Sequence, residues 1–324
     1  MSSIATYREA FCAYLDQKVA VKEPKNLYEP MVYILNLGGK RLRPVLTLMT
    51  TEVFGEDYTK ALDAALAIEI FHNFSLVHDD IMDDAPLRRG KKTVHEKWDL
   101  NTGILSGDVM LIVAYRFFEN YPAEKFRDLA KLFSKTAIEV CEGQQYDIDF
   151  ETRNDVSESE YLKMITYKTA VLVGTAMKMG AIVAGTTEEQ AQAIYDFGLN
   201  LGIAFQLKDD YLDAFGDPET FGKQVGGDII ENKKTYLYIK TIENLDDDRA
   251  EALKTLFNTT PEDPAEKIDS VKALMHNSGA VKLTEEAIEK YTKKAFEVLN
   301  TLDIPVHKKA VLQEFGEQLM GRTV

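Results

Sequence analysis

The chain has 324 residues, 45% of them apolar, which is enough to bury a large core in one domain or two. Its formal net charge of −15 works against binding nucleic acid or anionic lipid, so an anionic substrate would need a local basic pocket or metal ions. Cys12 and Cys141 are far apart and lack metal-ligand spacing, which points to free thiols and a reducing compartment.

In chain order, the N-terminal stretch to Lys18 is amphipathic, carries charge throughout and has no apolar signal core. Next comes Gly38-Gly39-Lys40-Arg41-Leu42-Arg43-Pro44, joining two helical patterns. Its glycines permit a tight turn with exposed N–H groups, and three cations concentrate there in an acidic protein. From Thr59 to Val77, apolar residues recur at helical spacing: Leu62, Ala65, Leu66, Ile68, Ile70, Phe71 and Phe74. That helix ends in Asp79-Asp80-Ile81-Met82-Asp83, followed by Pro86 and then Arg88-Arg89-Gly90.

Helical periodicity continues through Ile104–Phe118, Phe126–Val140, Tyr161–Val183 and Gln190–Leu212, then Val281–Leu299 and Ala310–Leu319. No sustained two-residue alternation of the kind a half-buried sheet needs is visible. The longest apolar stretch, Ala170 to Gly185, is interrupted by Lys178 and too short to span a bilayer. Thr186 with Glu189 has the spacing of a capping box that opens a helix after Gly185. That helix ends in Asp209-Asp210-Tyr211-Leu212-Asp213, followed by Gly216 and Pro218. Pro24, Pro86, Pro122, Pro218 and Pro305 fall where helices start or stop, and Asn258–Asp263 reads as a surface turn. The expectation is an all-α, large single-domain helical bundle over residues 1–324, cytoplasmic, without membrane insertion or nucleic-acid binding.

The acidic pattern therefore occurs twice, about 130 residues apart. Within each, the first and last aspartates are i and i+4 and share a helix face. A helix C-terminus carries partial negative charge, so stacked carboxylates there lose stability by both dipole and mutual repulsion. Hard divalent cations remove both penalties, and magnesium is commonly completed by substrate phosphates. Two such clusters facing each other would clamp a diphosphate. One cluster alone reads equally well as a solvated acidic helix end; two, each capping a long apolar helix, do not. Arginine donates two parallel hydrogen bonds to phosphate, so the basic segments are the natural counterpart. His72, two turns before Asp79, reads by itself as a core histidine.

Together, GGKRLRP, HNFSLVHDDIMDDAPLRRG and FQLKDDYLD resemble the trans-type polyprenyl diphosphate synthases, which include the farnesyl and geranylgeranyl diphosphate synthases. Thr93-Val94-His95, Gly107-Asp108, Gly143-Gln144, Lys168-Thr169 and Gly226-Gly227-Asp228 match as well, so the resemblance runs from Asn26 to Lys240. It implies helices around a central apolar cavity and a magnesium-dependent prenyltransferase that condenses isopentenyl diphosphate with an allylic diphosphate. It also implies three magnesium ions, on Asp79 and Asp83 and on Asp209, supported by Asp80 and Asp213. Isopentenyl diphosphate would meet Lys40, Arg43, His72 and Arg89. The allylic diphosphate would meet Arg88, Lys168, Thr169, Gln206, Lys223 and Lys233, where Lys234 adjoins and Leu237 replaces the family's proline. A homodimer is the family expectation.

Product length would be set below the first cluster. Phe74 and Phe71 lie five and eight residues before Asp79, roughly 7 to 12 Å down the helix. Ser75 is small and leaves room on the aspartate face. An aromatic at that position, with no insertion inside DDIMD, resembles geranylgeranyl synthases of the archaeal kind, with farnesyl diphosphate the next expectation. Both phenylalanines also fit an ordinary core role. A terpene cyclase would not need GGKRLRP, a non-catalytic partner subunit would tend to lose an aspartate cluster, and a plain helical scaffold leaves the acidic ends unexplained. The segment beyond Ala250 carries no recognisable chemistry.

Overall fold

A computed structural model describes residues 1–216, 226–259, 261 and 263–321. They fall into two compact units, Met1–Lys135 with Thr175–Tyr195, and Thr136–Gly174 with Asp196–Val324. Nearly all regular structure in both is helical, as the apolar periodicity requires.

The first unit is organised around α4 (Leu62–Met82). Every residue from Ala64 to Phe71 in it is buried, so the helix is wrapped on all sides rather than laid on a surface by one stripe. Helices α1 (Ile4–Lys18), α2 (Lys25–Asn36), α3 (Leu42–Val53) and α6 (Leu100–Phe118) pack around it, with the short α5 (Val94–Lys97) leading into α6. The first part of α7 (Ala123–Glu151) adds Phe133, whose ring meets Phe71, Phe118 and Tyr115 at centroid distances of 5.0, 5.2 and 4.6 Å. From Thr175 onward, α9 (Val171–Ala184) packs on α3 so closely that Thr47 and Thr51 hydroxyls donate to the carbonyls of Ala176 and Gly180 at 2.9 and 3.1 Å.

Between α4 and α5 lies one feature with no period-two signature: a hairpin of β1 (Leu87–Arg88) and β2 (Lys91–Lys92), with Leu87 opposite Lys92 and Arg88 opposite Lys91. Its turn residues Arg89 and Gly90 both have positive φ (52° and 72°), the conformation that matches strand twist in two-residue hairpins. Tyr33 donates to the Lys92 carbonyl at 2.7 Å and holds the hairpin against α2.

In the second unit, α8 (Glu158–Ile165) opens with a full capping box between Ser157 and Glu160. It runs into a π-helical turn, Thr166–Ala170. Helix α10 (Glu188–Phe215) follows α9. Its start, up to Tyr195, belongs to the first unit, and the first-turn acceptor there is the Thr187 hydroxyl, from the Gln190 N–H at 3.3 Å, one residue beyond the expected Thr186, because Gly185 takes φ +77° and Thr186 still belongs to the turn. Then come α11 (Gly227–Ile230), α12 (Tyr236–Asn244), α13 (Asp247–Leu256), α14 (Ala265–Asn277), α15 (Ala280–Thr301) and α16 (Val306–Met320). Tyr161, Leu207, Ile239, Phe257, Val271 and Met275 form its core. No described helix is long and apolar enough to cross a membrane.

The α3–α9 contact gives a direct test. A Cβ on Gly180 would lie 2.3 Å from the Thr47 carbonyl oxygen, a backbone atom that cannot swing away. Gly180→Ala is expected to cost about 1–3 kcal/mol, read as a lowered urea midpoint; an unchanged midpoint would refute so close an approach.

Candidate active site

In the first unit the aspartates sit where α4 stops. Asp79 and Asp80 lie in its last turn, and Asp83 is the C-cap, its N–H donating to the Asp79 carbonyl at 2.9 Å. Asp80 is only 1% exposed. The hairpin turns Arg88 back onto it: Nε lies 2.8 and 2.9 Å from the two carboxylate oxygens, and Nη2 lies 2.7 Å from Oδ1 and 3.5 Å from Asp79 Oδ2. Burial raises the Asp80 carboxyl above its ordinary value against the pull of Arg88. In this state Arg88 is thus a partner of the acidic cluster itself. Asp83 is exposed.

The basic segment separates into two roles. Arg41, in left-handed backbone at φ 51°, is buried, pairs with buried Glu69 at 2.6 Å and donates to the Leu35 carbonyl, so it is structural. Arg43, His72 and Arg89 are brought together as the resemblance implies. Arg43 Nη1 is 3.2 Å from His72 Nε2, and Arg89 donates to the Gly38 carbonyl. A Cβ on Gly39 would lie 2.9 Å from the Arg89 guanidinium carbon, so that glycine admits the arginine. Lys40 is exposed. Burial, then the Arg43 and Arg89 charges, hold His72 well below its ordinary value and keep the ring neutral. Burial lowers Arg43 too, but leaves it charged at neutral pH.

Phe71 is fully buried in the aromatic cluster, 5.6 Å from Phe74 by ring centroid, and Phe74 meets the His78 ring at 4.8 Å. Ser75 turns its hydroxyl back to the His72 carbonyl at 2.8 Å.

In the second unit a cavity of about 110 Å³ is lined by Lys168, Thr169, Gln206, Asp210 and Lys233, together with Asp147. Lys168 and Thr169 stand in the π-helical turn, whose extra residue per turn re-aims side chains and often marks function. Lys168 pairs with Asp147 at 2.5 Å. Thr169 donates to Gln206 at 3.0 Å, and Gln206 donates to Asp210 at 2.8 Å. The Tyr161 hydroxyl donates to the other Asp210 oxygen. Burial pushes the Asp210 carboxyl up to about 7, with Asp209 and Asp213 adding to the rise, and Asp228 is raised well above its usual range for the same reasons. Asp213 accepts the Asp228 N–H at 2.9 Å. Lys233 pairs with Glu231 at 2.7 Å; burial works against its charge, and Glu231 and Asp228 outweigh burial. Lys223 lies outside the described residues.

Asp147, Tyr161 and Asp228 carry no role in the sequence reading. Asp147, four residues after Gly143, had a signal in retrospect: a Cβ on Gly143 would sit 2.2 Å from the Lys168 nitrogen, so this glycine is where the π turn touches α7.

The donor set suits a hard divalent ion. Among the described residues no group of three or more His, Cys, Asp or Glu converges as a ready-made cage. Magnesium does not ask for one, since one or two carboxylates with water and phosphate oxygens complete its shell. Burial first, and neighbouring carboxylates after it, raise Asp210 and Asp228, so a cation brought to this cluster would favour their charged forms.

Residues 24–275 match the polyprenyl synthetase family, and the chain belongs to it. It is 43% identical over 231 residues to a geranylgeranyl pyrophosphate synthase of Geoglobus acetivorans, covering 71% of this chain and 72% of that one. It is 36% identical over 313 residues to a geranylgeranyl diphosphate synthase of Methanosarcina mazei, covering 96% and 94%. A crystal structure of a geranylgeranyl pyrophosphate synthase superposes with a TM-score of 0.95 at 58% identity over 99% of each chain.

The neutral His72 makes a pH prediction. The unfolded chain takes up a proton near 6.5 that the folded ring refuses, so U binds more protons and stability is lost as pH falls through that range. His72→Asn should lose less stability than the parent between about pH 7 and about pH 5, measured by urea unfolding. Equal losses would show that His72 is not held neutral.

Proposed function

We propose that the protein is a magnesium-dependent, short-chain trans-prenyltransferase that condenses isopentenyl diphosphate with allylic diphosphates. Geranylgeranyl diphosphate is the favoured product and farnesyl diphosphate the alternative. The observation that carries the reading is the hydrogen-bonded line Thr169–Gln206–Asp210–Tyr161 on a cavity that also presents Lys168 and Lys233. It sets lysines beside an acidic cluster, an arrangement that a metal-bound phosphate would complement.

Asp79, Asp83 and Asp209, supported by Asp80 and Asp213, would hold magnesium, three ions in the family's usual count. Bound magnesium would supply Lewis-acid neutralisation of the charge that grows on the departing diphosphate. Lys168, Thr169, Gln206 and Lys233 orient the allylic diphosphate, with Lys223 and Arg88 assigned to it on resemblance. Lys40, Arg43, His72 and Arg89 bind isopentenyl diphosphate. A neutral His72 accepts from Arg43 at Nε2, which leaves its Nδ1–H as the donor for a ligand and adds no charge beside Arg43. Phe74 closes the space below Asp79 and, with Phe71 behind it and Ser75 beside it, limits the chain and keeps water from the allylic cation.

Assay with isopentenyl diphosphate and each allylic primer should give a twenty-carbon product, lost on chelation and lowered at least about a hundredfold by Asp79→Asn. Phe74→Ala should lengthen the product. Activity that survives chelation would overturn the metal reading, and an unchanged product length would overturn Phe74 as the floor.

We further propose a cytoplasmic homodimer. Support comes from the exposed side of α6, which presents Ile104, Leu105 and Ile112 at 40%, 58% and 59% exposure. Sedimentation should give twice the chain mass, and Ile112→Glu should shift it toward monomer; a monomeric parent would refute the dimer.

A further inference from the structure

Next to the cavity, two lysines are buried without a carboxylate partner. Lys234 is 5% exposed and Lys267 4%, and among the described residues neither ammonium has an acidic group in salt-bridge range. Burial of a long cation is expensive unless its donors are used. Both side chains are used on one residue, Asn232. Lys267, which reaches in from α14, donates to the Asn232 side-chain oxygen at 2.6 Å and to the Thr259 carbonyl at 2.9 Å. Lys234 donates to the Asn232 backbone carbonyl at 3.0 Å. Both ammoniums also lie over the Phe257 ring, at 5.6 and 5.7 Å, and Lys234 lies over Tyr238 at 5.6 Å.

Asn232 stands in left-handed backbone at φ 60°, a conformation that asparagine tolerates but that costs free energy unless its surroundings fix it. The residue that follows is Lys233. This turn decides where the Lys233 stem leaves the backbone, and the N–H of Lys233 closes it on the Asp228 carbonyl at 2.9 Å. The same helix α14 abuts the start of the segment: a Cβ on Gly226 would lie 3.1 Å from Ile268, the neighbour of Lys267.

We propose that Lys267 is a positioning residue for Lys233: by gripping Asn232 from α14 it locks the left-handed turn that aims Lys233 into the cavity. Helix α14 therefore supports the allylic-diphosphate site from behind, through Asn232. The inference rests on the assignment of that cavity to the allylic diphosphate. Of the two buried lysines, Lys234 lines the cavity, where Glu151 stands as well.

The test is a double-mutant cycle read in steady-state kinetics. Lys267→Met, which keeps an unbranched stem in the apolar site, should raise KM for the allylic diphosphate about tenfold while leaving KM for isopentenyl diphosphate near the parent value. Asn232→Gly keeps the positive φ accessible and removes the acceptor, so Lys267→Met added to it should have almost no further effect. Full additivity, or a KM that rises equally for both substrates in step with a lowered melting temperature, would show a merely structural lysine and overturn the proposal. Lys168→Met runs alongside to test the cavity itself. If it leaves the allylic KM unchanged, the cavity assignment fails and the proposal with it. If it raises the allylic KM while Lys267→Met does not, the positioning role alone fails.

Discussion

Crowded carboxylates at the C-terminal ends of two long helices are the constraint from which the rest of this structure follows. The helix dipole and neighbouring like charges both oppose ionised aspartates there. The protein answers at each cluster in the same way: it sacrifices the second aspartate of the pair. Asp80 and Asp210 are 1% and 7% exposed, and each is enclosed by the chain's own donors, Arg88 for the one and Tyr161 with Gln206 for the other. What differs is the charge of the donor. Arg88 neutralises Asp80, whereas Tyr161 and Gln206 bring no charge, and Asp210 is accordingly the carboxyl driven to about 7. Asp210 itself is thus held by neutral donors alone, where Asp80 is held by a cation.

The same economy governs the basic side. Of the arginines in GGKRLRP, Arg41 is consumed by Glu69 inside the core, a pairing that makes the turn rigid and contributes nothing to substrate binding directly. That rigidity matters because Arg43, His72 and Arg89 converge from three separate stretches of chain, and like charges do not gather unaided. Holding His72 neutral removes two of the three pairwise repulsions, and the Gly38 carbonyl satisfies Arg89 from the turn that Arg41 anchors. The left-handed φ values of Arg41 and Arg89 mark this corner as built under constraint.

The helices and the two cluster positions were legible in the sequence because each rests on a local signal, a period, a cap or a motif, whereas the grouping of Arg43, His72 and Arg89 came only from the family resemblance, since His72 by itself reads as core. The hairpin was not, since two-residue strands leave no period to read, yet it is what turns Arg88 back onto Asp80. The role of Arg41 was hidden for another reason. A motif presents three cations as equals, and only burial against Glu69, 28 residues away, tells them apart. Tyr161 illustrates the same limit. Its apolar neighbours mark it as core, which it is, but its hydroxyl is spent on a carboxylate 49 residues on.

Lys267 is the extreme case. AEKIDSVKALMHN has the look of a solvated amphipathic helix, and the stretch beyond Ala250 shows no motif at all. A lysine in such a pattern is exposed by default, because burying it without a carboxylate costs more than a typical contact returns. It can be buried here only because a backbone carbonyl, an asparagine side chain and an aromatic face together take the place of a counter-ion. None of those acceptors is charged, and none is near it on the helix. A residue that acts through the backbone geometry of another leaves its signature in that other residue: an asparagine at positive φ, one position before a lysine that lines the cavity.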